Sequence, residues 1–218
     1  MKIRLFKICI LILTASILTP CANGAQDAFE DPYAGYDEAA ALDMDLEENL
    51  ATPKVGKNEH KAIVKYVGAQ ADRLKNDYIV ELMRNGEVMV VTVPTDKLFF
   101  PNDTLLMPEG PKVLKPLLRL LSDPEMYKLV FSVHTDDTGS PEYISELASA
   151  RSQTIYSWLI DDQKIDERQF IINYDMGEIA PLVPNDTRAN RSRNRRIEFF
   201  FVPGPKMITL AHNRKLKP

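Results

Sequence analysis

From Val88 to Val202 the chain alternates two kinds of apolar pattern, and few architectures can bury both. Short β-rich runs ("VMVVTVP", "YKLVFSVH", "RQFIINY", "NRRIEFFFV") take turns with longer stretches whose apolar residues recur every three or four positions. A period of two needs a sheet and a period of 3.6 needs a helix, so the pattern predicts helices lying on a sheet. The order reads strand, helix (109–122), strand (127–134), helix (141–161), strand (168–174), loop, strand (194–202). The expected fold class is an α/β sandwich of the α+β kind. Its βαβαβ(loop)β core has helices packed on a mixed four-stranded sheet and is preceded by a helix and a β-hairpin. The leading helix covers roughly 59–75, where Ile63, Val67, Ala71 and Leu74 share a face. The hairpin is signalled by Asn85-Gly86 between β-rich runs. Pro116 falls inside the 109–122 helix and predicts a late start or a kink. Ser140-Pro141 is an N-cap followed by proline at the first helical position.

Outside this core the composition changes. Residues 1–25 combine a basic start (Lys2, Arg4, Lys7), an 11-residue apolar run and a small-residue stretch, the pattern of a secretory signal peptide. The run is too short to span a bilayer. Two readings stay open. Cleavage after Gly24 or Ala25 is one, the latter leaving Gln26 first. The other is a lipoprotein signal, Leu18-Thr19-Pro20-Cys21, with Cys21 acylated, although Pro20 fits that pattern poorly. Cys9 and Cys21 are the only cysteines. A chain cut beyond Cys21 has no thiol, which excludes disulfides and cysteine-based metal or catalytic sites. The signal holds three basic and no acidic residues, so its removal takes the net charge from −4 to −7, giving no global attraction for nucleic acid.

Residues 26–57 carry nine acidic residues before their first basic one, Lys54. They read as an acidic disordered spacer with a short helical piece at 38–49. As a flexible coil the spacer reaches on the order of 30 Å on average and about 100 Å when taut. The remaining divisions are a helix-plus-hairpin lead-in at 58–95, the main domain at 96–203 and a basic tail at 204–218 to which no structure is assigned.

The 141–161 helix poses the functional question. Ile144, Leu147, Ala148, Ile155, Trp158 and Leu159 form its apolar stripe, and Arg151 interrupts it. A guanidinium on a buried face needs a partner or a groove, because burying an unpaired charge is costly. One reading is an internal salt bridge to Asp136, Asp137 or Asp175. The other is a ligand. An amino-acid head group carries an ammonium and a carboxylate close together, which an acidic loop and a bidentate arginine can hold.

The stretches "HTDDTG", "ELASARSQTIYSWL" and "NRSRNRRIEFFF" resemble the OmpA-like peptidoglycan-binding domain family. Thr135, Asp136 and Gly139 match its first motif, and Leu147 and Arg151 the second, with the family's 15-residue Asp-to-Arg spacing. Asn194, Arg195 and Arg196 match the third, and Gly177, Pro181 and Asn185 match residues between the motifs. The resemblance covers about 96–202. It implies that Asp136 and Arg151 clamp the diaminopimelate residue of the peptidoglycan stem peptide, with Thr135, Asn194 and Arg195 at the groove. Departures are Ile144 where the family has asparagine, Ser132, Ser152 and Asp175.

Other candidates are weaker. Asn102, Asp103, His134 and Asp137 are candidate groove contacts. His134 has no partner at metal-ligand spacing, so no metal site is expected. Asp136 and Asp137 lack a nucleophile motif or oxyanion element, so the pair does not point to catalysis. No phosphate-binding glycine loop and no motif for an organic cofactor is present, so no cofactor is expected. The function the resemblance implies is a non-enzymatic envelope protein of the outer membrane's periplasmic face or the periplasm. It would bind peptidoglycan and partner the outer membrane or one of its proteins. The alternative is an adaptor that keeps the fold without wall binding.

Overall fold

The computed structural model describes residues 29, 32–34, 38–166 and 168–218; the signal segment, Cys9 and Cys21 lie outside the described residues. Two short helices, α1 (Glu38–Leu42) and α2 (Leu46–Ala51), precede the long α3 (Lys57–Leu74) and the strands β1 (Ile79–Met83) and β2 (Val88–Pro94). Then follow α4 (Gly110–Leu118), β3 (Tyr127–His134), α5 (Pro141–Ser157), β4 (Ile171–Gly177), α6 (Arg188–Asn194), β5 (Arg196–Pro203) and α7 (Pro205–His212). The strands form one mixed sheet in the order β1-β2-β5-β3-β4. Only β3 and β4 run parallel, joined by α5; every other neighbouring pair is antiparallel. The four expected core strands are thus joined at the edge by a fifth, the first arm of the hairpin. Its connection turns through left-handed backbone at Arg84, Asn85 and Gly86, as the Asn-Gly pair predicts.

Strand alternation explains the layers. On β3, Tyr127, Leu129, Phe131 and Val133 point into the larger core, as do Ile197, Phe199 and Phe201 on β5. That core is closed by α3, α4, α5 and α7, through residues such as Ile63, Leu114, Ile155 and Met207. Val130, Phe200 and Val202 point the other way, into a smaller cluster with Val88, Val90, Ile172 and Ala41. Both faces are covered, which is why β3 and β5 read as nearly unbroken apolar runs.

The cover on the second face is a correction. The 26–57 segment was expected to be disordered apart from a short helical piece. Residues 38–51 instead form α1 and α2, with Ala41 and Asn49 fully buried. Asp45 caps α2 in a reciprocal capping box with Glu48. Asp43, Asp45, Glu47 and Glu48 are exposed, while Ala41, Leu46 and Leu50 meet the sheet. The boundaries at 95/96 and 203/204 also dissolve. β2 pairs with β5 in the same sheet, and α7 buries Met207, Ile208 and Ala211 in the main core.

Smaller differences have local causes. After Pro116 the chain tightens from α4 into a 3₁₀ turn at Arg119–Leu121. The helical stretch expected to reach 161 is α-helical only to Ser157 and then widens into a π turn at Trp158–Asp162. β4 begins at Ile171 rather than 168 and ends at Gly177. Its polar residues lie on an edge strand, so alternation there is weak. The expected loop before the last strand contains α6, capped by Thr187, whose hydroxyl accepts the Asn190 N–H at 3.1 Å. That helix has no apolar stripe to betray it. Among the described residues no helix is long and apolar enough to cross a membrane.

Candidate functional site

A cleft of about 560 Å³ opens at the ends of β2, β3 and β5. Two loops, two helices and the start of β5 build it, and each is fixed by a local device.

The first wall is the loop after β2. Phe99 bridges to Leu106, and Asn102 takes a left-handed conformation at the tip (φ 59°). The Asp103 carboxylate closes the turn by accepting the N–H groups of Thr104 and Leu105 at 2.7 and 3.0 Å. These two bonds lower its pKa. α5 grips this loop from beneath. Thr154 donates to the Thr104 carbonyl at 2.8 Å, and Arg151 donates Nε to the Asp103 carbonyl at 2.9 Å. A second, longer Arg151 bond reaches the Phe100 carbonyl at 3.4 Å, and the guanidinium sits 5.0 Å from the Phe99 ring centroid.

The second wall is the loop after β3. Thr135 N–H bonds the Gly177 carbonyl at 2.8 Å, tying the loop to β4. Asp136 accepts the Thr138 N–H at 2.9 Å. Gly139 has φ 126°, and a Cβ there would lie 2.7 Å from the Tyr143 ring, so the turn into α5 requires glycine. Ser140 caps α5 by accepting the Tyr143 N–H, with Pro141 at the helix start.

The third wall is α6 and the start of β5. Arg195 places its guanidinium between two carboxylates: Nη1 on Asp136 Oδ2 at 2.6 Å, Nε on Asp96 Oδ1 at 2.9 Å and Nη2 on Asp96 Oδ2 at 2.7 Å. The Arg195 bond lowers the pKa of Asp96, and the two carboxylates raise that of Arg195 despite partial burial. For Asp136 burial pushes the pKa up, but the bonds from Arg195 and Thr138 outweigh it and the net shift is down. Both aspartates are therefore anionic across the neutral range.

Arg151 is only 4% exposed, yet among the described residues no carboxylate lies within ion-pair distance of it. Burial lowers its pKa, although a guanidinium stays protonated in proteins. The internal salt bridge to Asp136, Asp137 or Asp175 is thus not what the structure contains; the cation paired with Asp136 is Arg195. Arg151 keeps its place on the cleft lining, together with Thr135 and Asp136.

The other expected residues separate. Asn102 and Arg195 line the cleft. Asn194 does not. It is fully buried and holds the neighbouring loop, bonding both the N–H and the carbonyl of Val183 and the Asn185 side chain. The Asp103 side chain serves its own turn, and only its carbonyl faces Arg151. His134 is 2% exposed and turned to the far side of the sheet, bonded to Ser132 and the Ile179 carbonyl and 3.4 Å from Glu198. Burial would raise the pKa of Glu198, but His134 and Arg196 hold it down at about 2. Asp137 is exposed beyond the lining. Among the described residues no group of three or more His, Cys, Asp or Glu side chains could hold a metal ion.

Three charged lining residues escaped the sequence: Asp96, Arg188 and Arg191. The arginines could have been found, since 188, 191 and 195 fall at helical spacing among the five arginines between 188 and 196. Asp96 had no signal, because it reaches Arg195 only through the pairing of β2 with β5.

A sheet with one parallel pair, a glycine turn into a capped helix and an arginine-carboxylate cleft at the strand ends define the class. Residues 98–195 match the model of the OmpA family. The chain is similar to a protein named "Probable lipoprotein YiaD" of Escherichia coli (strain K12), 25% identical over 124 residues, 57% of this chain and 56% of that protein. It is also similar to "Outer membrane protein A" of Bordetella avium, 26% identical over 116 residues, 53% of this chain and 59% of that one. The chain thus spans a little over half the length of these curated relatives. Among solved structures, a MotB-like protein from Desulfovibrio vulgaris superposes with a TM-score of 0.57 at 22% identity, over 66% of this chain and 95% of that one. That likeness supports the fold alone.

Proposed function

We propose that this chain is a non-enzymatic envelope protein that binds peptidoglycan through the cleft between Arg151 and Asp136, taking the diaminopimelate residue of the stem peptide. The observation that carries the reading is Arg151. It is a buried cation with no carboxylate partner among the described residues, on the lining of an open cleft that also holds two anions. A ligand carboxylate supplies the missing counter-charge, and the Arg195-centred pair of aspartates keeps lone pairs for a ligand ammonium. Two carboxylates around one guanidinium leave this triad one net negative charge, which suits a ligand ammonium. Envelope-protein names among the relatives support a cell-envelope location, with the outer membrane or one of its proteins as the partner.

One observation favours a second reading. Arg151 holds two loop carbonyls, and Ile144, 5% exposed, brings an apolar surface to the lining. An adaptor that keeps the fold without wall binding needs only that structural role. Sedimentation with insoluble peptidoglycan separates the two. The wall-binding reading expects the purified protein to pellet and to be released by a soluble diaminopimelate stem peptide. Protein left in the supernatant at all salt concentrations contradicts it.

A further inference from the structure

The cleft holds more positive charge than one amino-acid head group can use. Asp96, Asp136 and Arg195 together carry one net negative charge, which suits one ammonium. Arg151 suits one carboxylate. Arg188 and Arg191 are left over on the same lining. Arg188 is exposed and makes no hydrogen bond or ion pair among the described residues, and Arg191 uses one N–H on the Asn185 carbonyl at 2.9 Å. Like charges three residues apart on one helix face oppose helix formation, so the local fold does not explain them. Their guanidinium forks fit carboxylates.

We infer that Arg188 and Arg191 form a second carboxylate subsite, so that the cleft selects a peptide with two free carboxylates beside its ammonium. The inference rests on the proposed wall-binding function. In a stem peptide the second carboxylate has two sources: the α-carboxylate of the γ-linked glutamate preceding the diamino acid, or a free C-terminal carboxylate on the diamino acid itself. Amidation at either position would weaken recognition while leaving the ammonium and the Arg151 contact in place.

Titration calorimetry on the full chain tests this with three diaminopimelate tripeptides: one unmodified, one amidated at the glutamate and one amidated at the C-terminus. The wild type should bind one amidated peptide about three- to tenfold more weakly than the unmodified peptide, because the contact is charge-assisted but partly solvated. The identity of that peptide names the source. Arg188→Gln and Arg191→Gln variants, checked for unchanged melting temperature, should bind the unmodified peptide at the reduced affinity and lose the discrimination. Wild type that binds all three peptides alike overturns the second subsite and leaves the wall-binding function standing. Wild type that binds none overturns that function and this inference with it. Full discrimination retained in both variants assigns the second carboxylate elsewhere and overturns the inference.

Discussion

Lys128 and Arg151 are both buried cations held by backbone carbonyls, and they differ in what closes over them. Lys128 lies on the second sheet face, 1% exposed, and donates to the Asn49 and Thr52 carbonyls at 2.7 and 2.8 Å. The strap formed by α1 and α2 covers it, and Asn49 Nδ2 in turn donates to the Tyr174 hydroxyl. Arg151 also bonds two carbonyls, but it lines a cleft that no described residue covers. The first cation is a fastening between two parts of one fold. The second has the chemistry of a fastening and the position of a receptor. Burial and carbonyl contacts alone therefore do not tell structural from functional charge; the open side does.

The largest effect that sharpens this contrast is on stability. Lys128→Ala strands the carbonyls of Asn49 and Thr52 beneath the strap and should cost about 1.5–3 kcal/mol, read as a lower denaturant midpoint. Peptidoglycan binding of the folded fraction should not change. Loss of binding in step with stability would mean that the two faces are coupled.

Asp136→Asn should act in the opposite way. The amide keeps the turn and an acceptor for Arg195 but loses the charge that meets the ligand ammonium. Affinity should fall roughly ten- to a hundredfold, equivalent to about 1.5–3 kcal/mol. N-acetylating the ligand's ammonium should then harm the variant far less than the wild type, a coupling that calorimetry on both proteins measures. Additive losses would mean that Asp136 only shapes its loop.

The strap also predicts a pH dependence. Burial, with a smaller contribution from the Arg84 charge, lowers the pKa of Lys128 from 10.5 to about 7. Between these two values the unfolded chain binds the proton that the folded chain has given up, so this group makes stability rise as pH increases from about 7 to 10.5. Denaturation midpoints for wild type and Lys128→Met across that window should show the rise only in the wild type. Equal slopes would show that the buried amine stays charged. The smallest effect belongs to Asp137→Asn, exposed and off the lining, which should leave affinity within about twofold, as for surface sites generally.

The same contrast explains what the sequence revealed. β3 was legible residue for residue because both of its faces are covered, giving a run from Tyr127 to Val133 that is apolar except at Lys128 and Ser132. α5 was legible from Ser140-Pro141, and Arg151 stood out because it broke a stripe. The strap was not legible. Its sheet-facing residues are few, its helices are of five and six residues, and the nine acidic positions of residues 26–57 gave that stretch the composition of a disordered segment. α6 was missed for a related reason: a polar helix without an apolar side has no period to detect. In the cleft, Asp136 and Arg151 were found by motif and spacing. The Arg195 partner of Asp136 was not legible, because the pairing of Arg195 with Asp96 and Asp136 arises only when β5 is laid between β2 and β3.

The direct test of Arg151 as a receptor compares wild type, Arg151→Ala and Arg151→Lys by titration with a diaminopimelate stem peptide, alongside their melting temperatures. The account predicts that alanine abolishes measurable binding while the domain still melts cooperatively, and that lysine is nearly as damaging because it keeps the charge but loses the planar fork. A steep fall in melting temperature with the wild-type affinity retained by the folded protein would contradict it, and would make Arg151 a second Lys128.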